Sequence, residues 1–162
     1  MADCILHQEP DPDECGQFAS EGPTGVGEID VDETADSTVG KVVRAYLRFD
    51  LPPGARQATG FTLRLTNTGI TNASSPGSGA IYEVQPFVRQ DLFSGPPAHV
   101  SGAALAGDQG PVMDNQVVDW PLPGSLAQGD AVFLEVIATD DNGVRYWNNN
   151  GSSPPNLIVN CE

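Results

Sequence analysis

Apolar and polar residues alternate most regularly between Lys41 and Leu65. Val43, Ala45, Leu47, Phe49 and Leu51 alternate with Arg44, Tyr46, Arg48 and Asp50, and Phe61, Leu63 and Leu65 alternate with Thr62 and Arg64. A period of two belongs to a strand with one face on a core. Pro52-Pro53-Gly54 ends the first run, because proline donates nothing to a ladder and glycine permits a turn. The pattern predicts two strands joined by a turn, with Arg44, Tyr46, Arg48 and Arg64 on the side away from the core.

Shorter runs repeat the pattern. Gly27–Glu33 has Ile29 and Val31 alternating with acids, and Ala80–Arg89 has Tyr82 and Val84 on one face. Gln116–Leu122, Ala131–Ala138 and Asn156–Cys161 complete the set. Between them lie a Ser/Gly/Asn-rich loop over 66–79, a long connection over 91–114 with a short helical turn expected at Ser101–Ala106, and a loop over 139–150. The long connection is expected to pack as a lid or to carry function. Roughly seven or eight strands with no substantial helix predict an all-β chain, an antiparallel two-sheet β-sandwich of the jelly-roll kind. Residues 1–27 read as an irregular acidic segment packed on or tied to the domain, and residues 28–162 as one sandwich domain.

Composition supports this picture and narrows the partners. Eighteen glycines and 14 prolines in 162 residues suit short strands and turns. The formal net charge is −15, with eleven acids and no lysine or arginine in residues 1–40. Such a chain repels nucleic acid and anionic membranes, and no apolar run approaches the length of a membrane span. Against that acidity, Lys41, Arg44, Arg48, Arg56 and Arg64 concentrate in one stretch.

The three cysteines, Cys4, Cys15 and Cys161, lie near the ends and lack zinc-site spacing. A bridge from Cys161 to Cys4 or Cys15 is expected, tying the last strand to the N-terminal segment; the alternative is three free thiols. Closing so long a loop contributes ~3–5 kcal/mol in the chain-entropy view and implies an oxidising compartment.

The run RAYLRFDLPPGARQATGFTLRL, residues 44–65, resembles the DNRLRE domain family, with its "YLRFDLP" strand followed after a spacer by an "A-x-L-x-L" strand. Ile81-Tyr82-Glu83-Val84, Val132–Ile137, Tyr146-Trp147 and Pro155-Asn156-Leu157-Ile158-Val159 match later family segments in order. The likeness spans roughly residues 28–161, except that the family's tryptophan-bearing segment has no counterpart in 87–100. It implies an exported jelly-roll module, secreted or at the cell surface, similar to carbohydrate-binding modules and not a catalyst.

Three constellations could carry chemistry. Arg44, Arg48 and Arg64 with Tyr46 would suit an acidic polysaccharide, since guanidinium groups fork onto carboxylates and an aromatic face stacks on a sugar. Alternatively these arginines pair with Asp50, Glu83 and Glu135 across strands. Tyr146 and Trp147, beside three asparagines, offer a second sugar platform, or else one of them plugs the core. Asp140, Asp141 and Asn142, with Asp30, Asp32, Glu33 and Asp36, supply the oxygens a structural calcium needs, although no EF-hand spacing is present.

No GxSxG, HExxH or Walker A motif occurs, and His7 and His99 both fall in loop-like stretches, away from any evident acid pair. The expected function is therefore non-catalytic glycan binding. The alternative is a structural or adhesive cell-surface domain, or a filament subunit, whose partner is a cell-surface protein.

Overall fold

The computed structural model describes residues 6–8, 16–19, 22–24, 28–32, 43–148 and 151–160. The cysteines expected to pair, Cys161 with Cys4 or Cys15, lie outside the described residues, as do Glu33 and Asp36.

The chain is all-β and antiparallel. One sheet has the order β3 (Gly22–Thr24), β2 (Gly16–Ala19), β5 (Val43–Asp50), β9 (Ala131–Ile137), β7 (Ala80–Glu83). The other has the order β1 (Leu6–Gln8), β11 (Asn156–Asn160), β6 (Gly60–Thr66), β8 (Val117–Pro123). A two-stranded ribbon of β4 (Glu28–Val31) and β10 (Val144–Trp147) joins them at one side, bridged to β5 through Asp32–Val43 and to the end of β6 through Asn67–Tyr146.

Inward residues of both sheets share one core. Ala45, Leu47, Phe49, Ile81, Val132, Leu134 and Val136 come from the five-stranded sheet. Phe61, Leu63, Leu65, Val118, Trp120, Leu122, Leu157 and Val159 come from the other. Those from β5 and β6 are positions that alternation assigns inward, whereas in β7 Ile81 enters this core rather than the face that holds Tyr82 and Val84. Removal of the whole set from water is the main term holding the sheets together.

The largest core side chain keeps its polar atom satisfied. Trp120 Nε1 donates to the Gly79 carbonyl at 3.1 Å, and the neighbouring Ser78 carbonyl accepts from the Tyr146 hydroxyl at 2.8 Å. The two rings meet edge to face at 5.9 Å. Gly79 makes this possible: its φ is +95°, and a Cβ there would stand 3.0 Å from the Ile137 carbonyl oxygen.

Four expectations need correction. The N-terminal segment read as irregular contributes β1 to one sheet and β2 and β3 to the other. The strand pair β5 and β6 is not a hairpin within one sheet. Its connection, with a 3-10 turn at Pro53–Gln57 and Ala55 buried, carries the chain from one sheet to the other.

Residues 144–147, read as part of a loop, form β10, where pairing with β4 supplies the backbone partners that the short segment cannot provide for itself. Finally, 101–106 forms no helical turn. Residues 98–106 run beside β7, with hydrogen bonds from Gln85 N to Ala98 O, Val100 N to Glu83 O and Ile81 N to Ala106 O, and so cover that sheet edge. At the opposite sheet's edge, β8 carries Pro121 and Pro123, residues that blunt strand addition.

Candidate functional site

The outer side of the five-stranded sheet holds a buried carboxylate in a row of polar and aromatic groups. Antiparallel register sets Tyr46 of β5 and Tyr82 of β7 on either side of Glu135 of β9, and sets Arg48 opposite Phe133. Directly opposed residues share a sheet face, so Arg44, Tyr46 and Arg48 lie with Phe133, Glu135 and Tyr82. The segment after β7 then crosses over them. Phe87 and Leu92 are buried, and with Tyr46 and Val84 they form a second apolar cluster against which Phe133 packs. Phe87 meets Tyr46 at 5.9 Å and Phe133 at 5.4 Å, both edge-on. A 3-10 turn at Arg89–Phe93, where the Asp91 carboxylate accepts from the Val88 amide at 2.9 Å, turns the segment back toward the sheet.

On its return the segment delivers His99. Its backbone bridges to Val84, its ring stacks on Tyr82 with centroids 4.5 Å apart, and Nε2 meets Glu135 Oε2. The other carboxylate oxygen, Oε1, accepts from the Tyr46 hydroxyl at 2.6 Å and from Arg44 Nη1 at 3.4 Å. Glu135 is itself fully buried. A charge so placed persists only with partners, and here three donors converge on it.

Burial, with the Glu135 hydrogen bond and charge added to it, raises the Tyr46 pKa far above the usual phenol range, so this hydroxyl stays a donor. The contact with a carboxylate places the neutral ring's hydrogen on Nε2 of His99 and leaves the Nδ1 lone pair on the far side.

Four of these side chains reach solvent. The Arg44, Arg48 and His99 side chains are 34%, 26% and 30% exposed, and Tyr82 is half-buried. Arg48 is also paired with Asp50 at 3.0 Å, and its guanidinium stands 5.7 Å from the Phe133 ring centre. Arg44 and Arg48 are four residues apart on one strand, about 13 Å.

The other residues marked out in the sequence are dispersed. Arg64 sits on β6, in the other sheet, where Nε and Nη2 fork onto the two oxygens of Asp119 at 2.8 and 2.7 Å. That hydrogen bonding raises the Arg64 pKa further. Tyr46 lies on the expected face but under Phe87 and fully buried, so it offers no contact surface. Tyr146 is buried in the main core, and burial raises its pKa; Trp147, half-buried, occupies the next position of β10.

Asp30 faces Arg145 at 3.6 Å, and its pKa is raised by burial against the lowering effect of that arginine. Asp32 and the turn of Asp140, Asp141 and Asn142 come near each other, since Gly143 abuts Asp32. In that turn Asp140 Oδ1 accepts from the Asn142 amide at 3.0 Å, and Asn142 Nδ2 donates to the Ser74 carbonyl at 3.3 Å. Among the described residues no three His, Cys, Asp or Glu side chains converge as a metal site would require.

Sequence reasoning named Glu135 only as a possible cross-strand partner and placed His99 in a loop away from any acid; the fold brings the two into contact. One signal for Glu135 was present. It is the only charged residue in the apolar run AVFLEVIA, and an acid inside a strand of that kind needs partners. No family model and no curated protein matches the sequence.

Proposed function

We propose that the protein is an exported, non-catalytic glycan-binding module whose ligand surface is the outer side of the five-stranded sheet. The observation that carries this reading is the partly exposed set Arg44, Arg48, Tyr82 and His99, grouped on one face of a chain whose net charge is −15. Guanidinium and imidazole donors match the carboxylates of an acidic polysaccharide, and aromatic rings match the apolar faces of its sugars. The resemblance of residues 44–65 to DNRLRE domains supports the same class. Both oxygens of Glu135 are engaged and shielded from solvent, which suits a residue that positions its neighbours better than one that reacts.

The test is titration of the full chain with polygalacturonate and with a neutral glucan. Arg48→Gln should weaken polygalacturonate binding about tenfold, the equivalent of about 1.4 kcal/mol, while Arg64→Gln, on the opposite face, should leave it unchanged. Absence of binding to any glycan by the wild type overturns the proposal. The alternative of a structural or adhesive surface domain draws on Phe93 and Met113, which are 64% and 67% exposed. Self-association in sedimentation, abolished by Phe93→Ser, would favour it.

A further inference from the structure

His99 is the one imidazole in the exposed group, and its two nitrogens face different surroundings. Nε2 is committed to a buried carboxylate, whereas among the described residues nothing bonds to Nδ1. The ring is fixed from three directions: by Glu135, by the Tyr82 ring stacked on it, and by the backbone bridge to Val84. A neutral imidazole held this way presents only a lone pair at Nδ1, which repels an anionic oxygen. Protonation turns the same atom into a charged donor without moving the ring, since Nε2–H keeps its acceptor.

Among the described residues, the titratable and charged groups around the ring come from three strands and the covering segment. Glu135 comes from β9, Arg44 and Tyr46 from β5, and Tyr82 from β7. Register sets Gly16 and Phe18 of β2 opposite Tyr46 and Arg44. Glu83 pairs with the inward Leu134, and lies on the other face of β7 from Tyr82. On the covering segment, Arg89 and Asp91 sit in the exposed turn, where Asp91 caps Val88. Glu135 and Arg44 carry opposite charges within the group, and protonation of His99 adds one positive charge to it.

We propose that this site binds carboxylated glycan together with one proton, taken up at Nδ1 of His99, so that affinity rises as the medium becomes acidic. The proposal rests on the glycan-binding reading and adds its regulation. The linkage is carried by the one imidazole in the group, so its sign is fixed by chemistry: protonation adds a donor and a positive charge. Affinity should be weakest with the ring neutral and reach its limit with it protonated, with a slope approaching one proton per site. Arg48 stays charged throughout and supplies the pH-independent part of the attraction.

Calorimetric titration of the full chain with polygalacturonate tests this, at several pH values and in two buffers of different ionisation enthalpy. Proton uptake on binding near neutral pH, with affinity rising at least fivefold from about pH 8 to about pH 5.5, is the expected result. The His99→Gln variant, whose amide can still donate to Glu135, should bind with one affinity across the range and take up no proton. The imidazole signal absent from the His99→Gln spectrum should titrate at higher pH when polygalacturonate is present. Wild-type binding without proton uptake overturns the linkage, and so does a pH dependence that survives in His99→Gln. Absence of polygalacturonate binding at every pH overturns the glycan reading itself, and the linkage with it.

Discussion

The outer sides of the two sheets each pair an arginine with an acid, and the two pairings are physically unlike. On the four-stranded sheet, Arg64 and Asp119 form a forked ion pair with both side chains 41% exposed. On the five-stranded sheet, Glu135 is fully buried and takes Arg44 as one of three donors beneath a covering segment. Water solvates the first pair whether or not it forms, so its geometry is good and its contribution small. The second carboxylate has lost its water, so its partners are obligatory, and they in turn fix the positions of Arg44 and His99. The same chemistry decorates one face and organises the other.

Mutation should expose this difference. The largest effect is expected for Glu135→Ala, which removes the acceptor of the Tyr46 hydroxyl and frees His99. A loss of about 3–5 kcal/mol in urea unfolding is anticipated, and a loss no greater than that of Arg64→Ala would erase the distinction between the faces. Phe87→Ala comes next, at about 3 kcal/mol, because the ring packs on both Tyr46 and Phe133. Amide exchange over 85–100 should quicken in that variant while β6 and β8 keep their protection.

Tyr46→Phe should cost about 1–2 kcal/mol by leaving an oxygen of Glu135 without its shortest donor. The same residue predicts an alkaline limit. An unfolded tyrosine ionises near about pH 10, while Tyr46 and Tyr146 hold their protons above that in the folded state. Above that pH the folded form therefore binds more protons, and stability falls as pH rises, by up to about 1.4 kcal/mol per unit for each tyrosine. Below it neither phenol contributes a slope. Tyr46→Phe and Tyr146→Phe should each flatten the alkaline limb of a stability–pH curve. The smallest effect belongs to Arg64→Ala, below about 1 kcal/mol and reduced further by salt.

Much of the architecture was legible because alternation is a local property. Ile29, Val31, Leu47, Phe49, Phe61 and Leu63 were assigned inward from neighbours two positions away, and all are buried. The prolines after Asp50 marked the end of β5 correctly. The candidate site was less legible. Tyr46 had the parity of an outward residue, but parity does not reveal that Phe87 covers it. Tyr146 was left between a sugar platform and a core plug because β10 is short and has few apolar residues of its own, and only its pairing with β4 decides for the core. Arg64 was grouped with Arg44 because the strands are consecutive, yet the connection between them changes sheets.

By itself, the sequence determined the class of fold and the inward faces of the plainly alternating strands β4, β5 and β6, because a pleat imposes its period on whatever chain adopts it. It also determined that the protein is acidic and that its few cations are concentrated. Only the tertiary structure decided which outward residues are neighbours. Strand pairing is non-local: it sets Glu135 between Tyr46 and Tyr82, and the returning segment brings His99 across 36 residues to meet it. No pattern within one strand encodes that meeting, because the hydrogen bonds and the burial that enforce it exist only once the sheet is assembled and covered.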